Sequence, residues 1–90
     1  MTLNTAFLLM AQYNGKAIIP LADVCRDYFS HLTREKLLRK VMAGQIPLPI
    51  IHIERSQKSA RGVHLQDLAD YLDKRRAAAT KECAQLCGSS

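Results

Sequence analysis

Pro47 and Pro49 stand one residue apart in QIPLPIIHIE, residues 45–54. Neither can donate a backbone N–H and both fix φ near −65°, so no helix crosses this point and no central strand contains it. The middle of the chain must therefore run extended at a sheet edge, with any helices to either side. Beyond the prolines, Ile51, His52 and Ile53 alternate as a half-buried strand does. The pair VH at 63–64 can return beside them, giving a two-stranded hairpin. Its tip, SQKSARG (56–62), has no residue that favours burial and is closed by a glycine.

Helical signals flank this hairpin. On the N-terminal side, Leu21, Val24, Cys25 and Tyr28 recur at i, i+3, i+4, i+7, and Pro20 suits a first helical turn after a short β-branched piece, Ala17 to Ile19. Thr33 is a good N-cap for a following helix that carries REKLLRKVM and stops at Gly44. Two short helices with a tight connection form a helix-turn-helix candidate. On the C-terminal side, Leu65, Leu68, Ala69 and Leu72 make the apolar stripe of a long last helix, with Ala77 to Ala79 raising its propensity. Upstream, TAFLLMAQY is apolar nearly all round. It reads as a helix ending at Asn14-Gly15, with the rival reading a hairpin turn there between two strands.

Ninety residues suit one small domain, expected over 1–87 with 88–90 a frayed end. There is little room for a catalytic cleft, and no Ser or Cys nucleophile has a histidine and carboxylate in its sequence context, so the chain is expected not to be an enzyme. Neither apolar run approaches the roughly 20 residues of a membrane span, so no membrane role is expected. Three cysteines, Cys25, Cys83 and Cys87, make no disulfide framework, and no charged leader precedes an apolar core near Met1. Both point to a cytoplasmic, nucleoid-associated protein. Cys83 and Cys87 lie on one helical face, but their spacing and the missing further ligands argue against zinc, and no metal or cofactor is expected. They read instead as small apolar residues of a dimer contact, or of the surface. His52 and His64 are expected to face each other across the hairpin. Asp67, Asp70 and Asp73 recur every third residue as a solvated acidic face, or as a contact for RNA polymerase or another protein.

Charge is where the sequence is most informative. The net charge is +5, and the whole excess lies between residues 34 and 61, where Arg34, Lys36, Arg39, Lys40, Arg55, Lys58 and Arg61 face only Glu35 and Glu54. Such a localised excess attracts polyanions, nucleic acid first. At 100° per residue, Leu37, Leu38, Val41 and Met42 fall on one side of their helix as a packing face. Glu35, Lys36, Arg39, Lys40 and Ala43 fall on the other. Taken alone, this is also how an ordinary solvated helix looks. A basic hairpin tip directly after a helix-turn-helix is, however, the order of a winged helix. The expected fold is therefore α+β and mostly helical: a winged helix-turn-helix with a short β-hairpin wing and a long C-terminal helix. In that arrangement the second helix enters the major groove, with Lys36 and Arg39 at base edges, Thr33 and Arg34 at the helix start and Lys40 on phosphate. Arg55, Ser56, Gln57, Lys58, Ser59 and Arg61 would lie along the backbone.

The pieces TAFLLMAQYNGKAIIPLADVCRDYF and LRKVMAGQIPLPIIHIERSQKSARGVHLQDLADYLDKRR closely resemble the pyocin activator family, the PrtN-type transcription activators of phage-tail-like bacteriocin genes. AQYNGKAIIPL, SQKSARGVH and DLADYLD are the most specific parts of a resemblance that runs from about Asn4 to Cys87. It implies binding to short repeated DNA boxes upstream of target genes. The layout is also similar to excisionase and AlpA-like regulators, whose recognition helix ends at a G-x-(F/I)-P-x-P turn, here GQIPLP from Gly44 to Pro49. This chain departs from them in having Val63 or His64 where an aromatic often follows the wing.

The expected function is thus a sequence-specific, DNA-binding activator that acts on double-stranded promoter DNA as a homo-oligomer. Two alternatives stand beside it: an excisionase-like factor that bends DNA, and an anti-repressor whose basic face meets an acidic protein. An excision assay would reveal the first, and the absence of any salt-sensitive complex with DNA would favour the second.

Overall fold

The computed structural model describes residues 4–54 and 60–88. It is an α+β arrangement of four helices and a three-stranded antiparallel sheet, in the order α1 (Thr5–Gln12), β1 (Ile18–Pro20), α2 (Leu21–Tyr28), α3 (Arg34–Met42), β2 (Ile51–His52), β3 (Arg61–His64) and α4 (Leu65–Leu86). The apolar run at the N-terminus is a helix. Asn4 caps it through its side chain, which accepts from the Phe7 N–H. Asn14-Gly15 closes that helix and is not a hairpin turn: both residues take positive φ (55° and 76°), and the Gly15 N–H reaches back to the Met10 carbonyl at 2.8 Å. The same C-terminal motif closes α3. Gly44, at φ 78°, donates to Val41, and Gln45 donates to Lys40.

The hairpin expected around the proline pair forms from β2 and β3, with Ile51 opposite Gly62 and His52 opposite Arg61. The sheet is larger than the expected ribbon, because Ile18–Pro20 pairs with the other edge of β3 to give the order β1-β3-β2. Pro20 sits one position earlier than its expected place in the first turn of α2. It ends β1 and occupies the N-cap, where an edge strand does not need its N–H. His64 pairs with Ile18, so His52 and His64 do not face each other. Its Nδ1 instead accepts from the Gln66 N–H at 3.0 Å and caps α4.

Gly62 does not close a turn. It lies inside β3, where an added Cβ would stand 2.6 Å from Ile18 Cγ2 and 2.7 Å from the Ile19 carbonyl oxygen. Only glycine allows β1 to lie this close.

One apolar cluster joins all the helices to the sheet. Ile19, Val24, Leu37, Val63 and Leu68 are its fully enclosed members. The segment between α3 and β2 is pinned by alternation: Ile46 and Leu48 are buried while Pro47 and Pro49 face solvent. Phe29, at the end of α2, sits against Tyr71 of α4 with ring centroids 5.9 Å apart. Of the acidic positions of α4, Asp70 and Asp73 are exposed, as expected of a solvated face, and Asp67 is half-buried. Asp73 accepts a hydrogen bond from the Thr5 hydroxyl and so docks α1, while Asp70 accepts from Gln66 at 3.0 Å.

Candidate nucleic-acid interface

The pose of α3 is set from both ends. Phe29 to Thr33 connect it to α2, and the buried Cys25 thiol donates to the Leu32 carbonyl at 3.2 Å, fixing that turn from beneath. At the N-terminus the Thr33 hydroxyl accepts from the Lys36 N–H at 3.2 Å, the expected cap. Glu35 lies in the first turn, and Arg39 and Lys40 in the last, each where the helix dipole favours its charge. Leu37 is fully enclosed and Leu38 and Val41 are half-buried, so this side of α3 fastens to the body of the protein. Met42 departs from the expected packing face and is 78% exposed, because the apolar stripe rotates off the core as the helix reaches its cap.

The opposite side carries Lys36, Arg39 and Lys40, and Arg34 stands at the helix start, all exposed. Among the described residues none of these four cations pairs with a carboxylate; the ion pairs recorded there are those of Arg26 with Asp23 and Asp27. The result is a helix held rigidly by one leucine-rich side while its other side presents free guanidinium and ammonium donors to solvent. Such donors fit phosphate oxygens and the acceptor edge of guanine.

The second predicted group is only partly visible. Arg55, Ser56, Gln57, Lys58 and Ser59 lie outside the described residues. The arms leading to them are paired, and the Ile53 N–H extends the ladder to the Ala60 carbonyl at 3.1 Å. Arg61 is not a freely solvated tip residue. It belongs to β3, is half-buried, and encloses its Nε away from any acceptor among the described residues.

One polar cluster had no signal in the sequence. The Tyr13 hydroxyl donates to Asp27 Oδ2 at 2.6 Å, and Arg26 Nε donates to Asp27 Oδ1 at 3.0 Å. Hydrogen bonds from Arg26 and then Tyr13 hold the Asp27 carboxyl below its usual range. Burial, then the Asp27 bond, push the Tyr13 phenol above its own range. This cluster ties α1 to α2.

Among the described residues no helix is long and apolar enough to cross a membrane, and no three metal-ligating side chains gather. The family model described as pyocin activator protein PrtN matches residues 5–79, most of the chain and all of its helices but the end of α4. The chain belongs to the PrtN-type pyocin activator family. No curated protein and no solved structure matches it. Family membership places the chain among regulatory activators and supports its assignment to transcription regulation. The matched range contains the whole of α3 and the segment 55–61, the two regions that carry the excess positive charge.

Proposed function

We propose that this PrtN-type protein is a sequence-specific DNA-binding activator of phage-tail-like bacteriocin genes, built as a winged helix-turn-helix. In this reading α2 and α3 are the helix pair and residues 33–42 enter the major groove. Lys36 and Arg39 meet base edges, Thr33 and Arg34 lie at the helix start, and Lys40 rests on phosphate. Residues 55–61 form the wing along the adjoining backbone, with Lys58 in ionic contact and Ser56, Gln57 and Ser59 as hydrogen-bond donors. Arg55 and Arg61 frame the wing, Arg61 from a half-buried strand position. The protein acts in the cytoplasm, without enzymatic activity or a cofactor, as a homo-oligomer on repeated promoter boxes, and it engages RNA polymerase there.

The observation that carries this reading is the two-sidedness of α3: Leu37 is fully enclosed while Lys36, Arg39 and Lys40 on the far side are exposed and, among the described residues, form no ion pair. A surface of this kind is costly to keep unless a polyanion neutralises it, since like charges crowded on a small domain repel. Membership of an activator family makes duplex DNA the fitting polyanion. Footprinting the purified protein on DNA upstream of neighbouring genes tests it. Protected, repeated boxes are expected, and uniform or absent protection would reject sequence-specific binding.

A further inference from the structure

α4 is electrically silent in the sequence. Asp67, Asp70, Asp73 and Glu82 cancel Lys74, Arg75, Arg76 and Lys81, so the helix adds nothing to the net charge. The fold separates what the sequence balances. Successive positions of a helix turn by about 100°, and the neighbours Arg75 and Arg76 line different grooves. Arg76 joins Asp73 and Lys81 in the groove between α4 and the start of α1, where both signs of charge are present. Arg75 lines an open cleft of about 420 Å³ elsewhere on the helix surface.

Three parts of the chain build that cleft. The turn after α2 brings His31, the last turn of α3 brings Lys40, and α4 brings Arg75. Among the described residues no carboxylate lines it, and neither Lys40 nor Arg75 forms an ion pair. Its floor is apolar and fixed: Phe29 and Ile46 are buried, and the Phe29 ring rests against Tyr71 with centroids 5.9 Å apart. Two permanent cations that face one cleft without a counter-charge repel each other, and an anion seated between them removes that repulsion. His31 adds a ring N–H donor in either protonation state.

Lys40 decides which anion this is. It also belongs to the exposed face of α3, so a polyanion lying along that face passes the mouth of the cleft. A duplex there carries a phosphate about every 3.4 Å of axis on each strand, whereas a free small anion would gain nothing from α3. We infer that Arg75, together with His31, holds a backbone phosphate of the bound DNA at the flank of α3, extending the interface from the helix pair onto α4. The inference rests on the proposed binding of DNA by α3. The planar guanidinium fork suits a phosphate, and because a phosphate carries no base identity the contact strengthens binding to every sequence alike.

Fluorescence anisotropy of the full chain, on duplex DNA from upstream of neighbouring genes and on a scrambled duplex at roughly 50 to 200 mM salt, tests it. Arg75 and Arg76 are both exposed, so replacing either leaves the core intact. Arg75→Ala should lower the slope of log affinity against log salt by about one unit on both duplexes, making its deficit about threefold larger at the low-salt end than at the high. Arg75→Lys, which keeps the charge, should retain the wild-type slope. Arg76→Ala, one residue further on but in the groove of mixed charge, should retain it too. An unchanged slope in Arg75→Ala, an equal fall in Arg76→Ala or a fallen slope in Arg75→Lys would overturn the inference, while salt-dependent binding by the wild type would leave the DNA reading standing. A wild type that binds neither duplex would overturn both.

Discussion

The Tyr13 hydroxyl lies 2.6 Å from Asp27 Oδ2, so that one carboxylate, shared with Arg26, fastens the end of α1 to α2. The bond has a pH signature at each end of the scale. Asp27 is held below its ordinary value, so its contribution is complete above the unfolded carboxyl value of about 3.9 and is lost as pH falls through the lower folded value. Tyr13 is shifted upward, so its contribution is complete below about 10 and declines as pH rises beyond it. Urea unfolding across pH should show both declines. Tyr13→Phe should flatten the alkaline one and soften the acid one; an unaltered alkaline limb would show that the phenol is not coupled to folding.

Gly62→Ala should destabilise the protein by about 1 to 3 kcal/mol or more, the range for overpacking a filled site. The clash would be with the Ile19 carbonyl as well as the Ile18 side chain, and backbone cannot rotate away. Thermal unfolding checks this, and a melting temperature equal to that of the wild type would mean that β1 does not approach β3 this closely in solution.

Leu37 and Met42 lie on the same helix and should behave oppositely. Leu37→Ala removes a fully enclosed side chain and should cost about 2 to 5 kcal/mol. Met42→Ala, at a position 78% exposed, should stay within about 0.5 kcal/mol. Equal losses in denaturant unfolding would contradict the orientation of α3.

The elements with local signals were legible in the sequence. Thr33 and Gly44 bounded α3 through cap chemistry, the proline pair forced the extended stretch that ends in β2, and the periodic leucines located α4. What escaped depended on partners distant in sequence. Ile18–Pro20 is too short to announce a strand, and its pairing with β3 crosses more than forty residues of chain. That pairing also hid the role of Gly62, which looked like a turn residue and is a site of close strand approach. His64 is a cap that helix-start preferences do not anticipate. The Tyr13–Asp27 bond joins two polar residues with no shared local pattern. Met42 shows the limit of periodicity itself: a helical stripe predicts a side, not whether the core extends beneath its last turn. In the candidate interface, the exposed face of α3 followed directly from 100° spacing, while the half-burial of Arg61 followed from a strand register that only the folded chain defines.

Lys58→Ala should weaken binding to every DNA sequence alike and reduce the slope of log affinity against log salt by about one unit, as loss of a single phosphate contact does. Titrations on promoter and unrelated duplexes at several salt concentrations check this; a loss confined to the promoter would move Lys58 from backbone to base contact.

The central claim is that α3 reads DNA sequence. Fluorescence anisotropy with the footprinted box and a scrambled duplex, for wild type and Arg39→Ala between roughly 50 and 200 mM salt, tests it most directly. The predicted result is steeply salt-dependent binding, with Arg39→Ala losing about 1 to 3 kcal/mol on the box and little on the scrambled duplex. Salt-insensitive binding, or an Arg39→Ala variant with undiminished preference for the box, would contradict it.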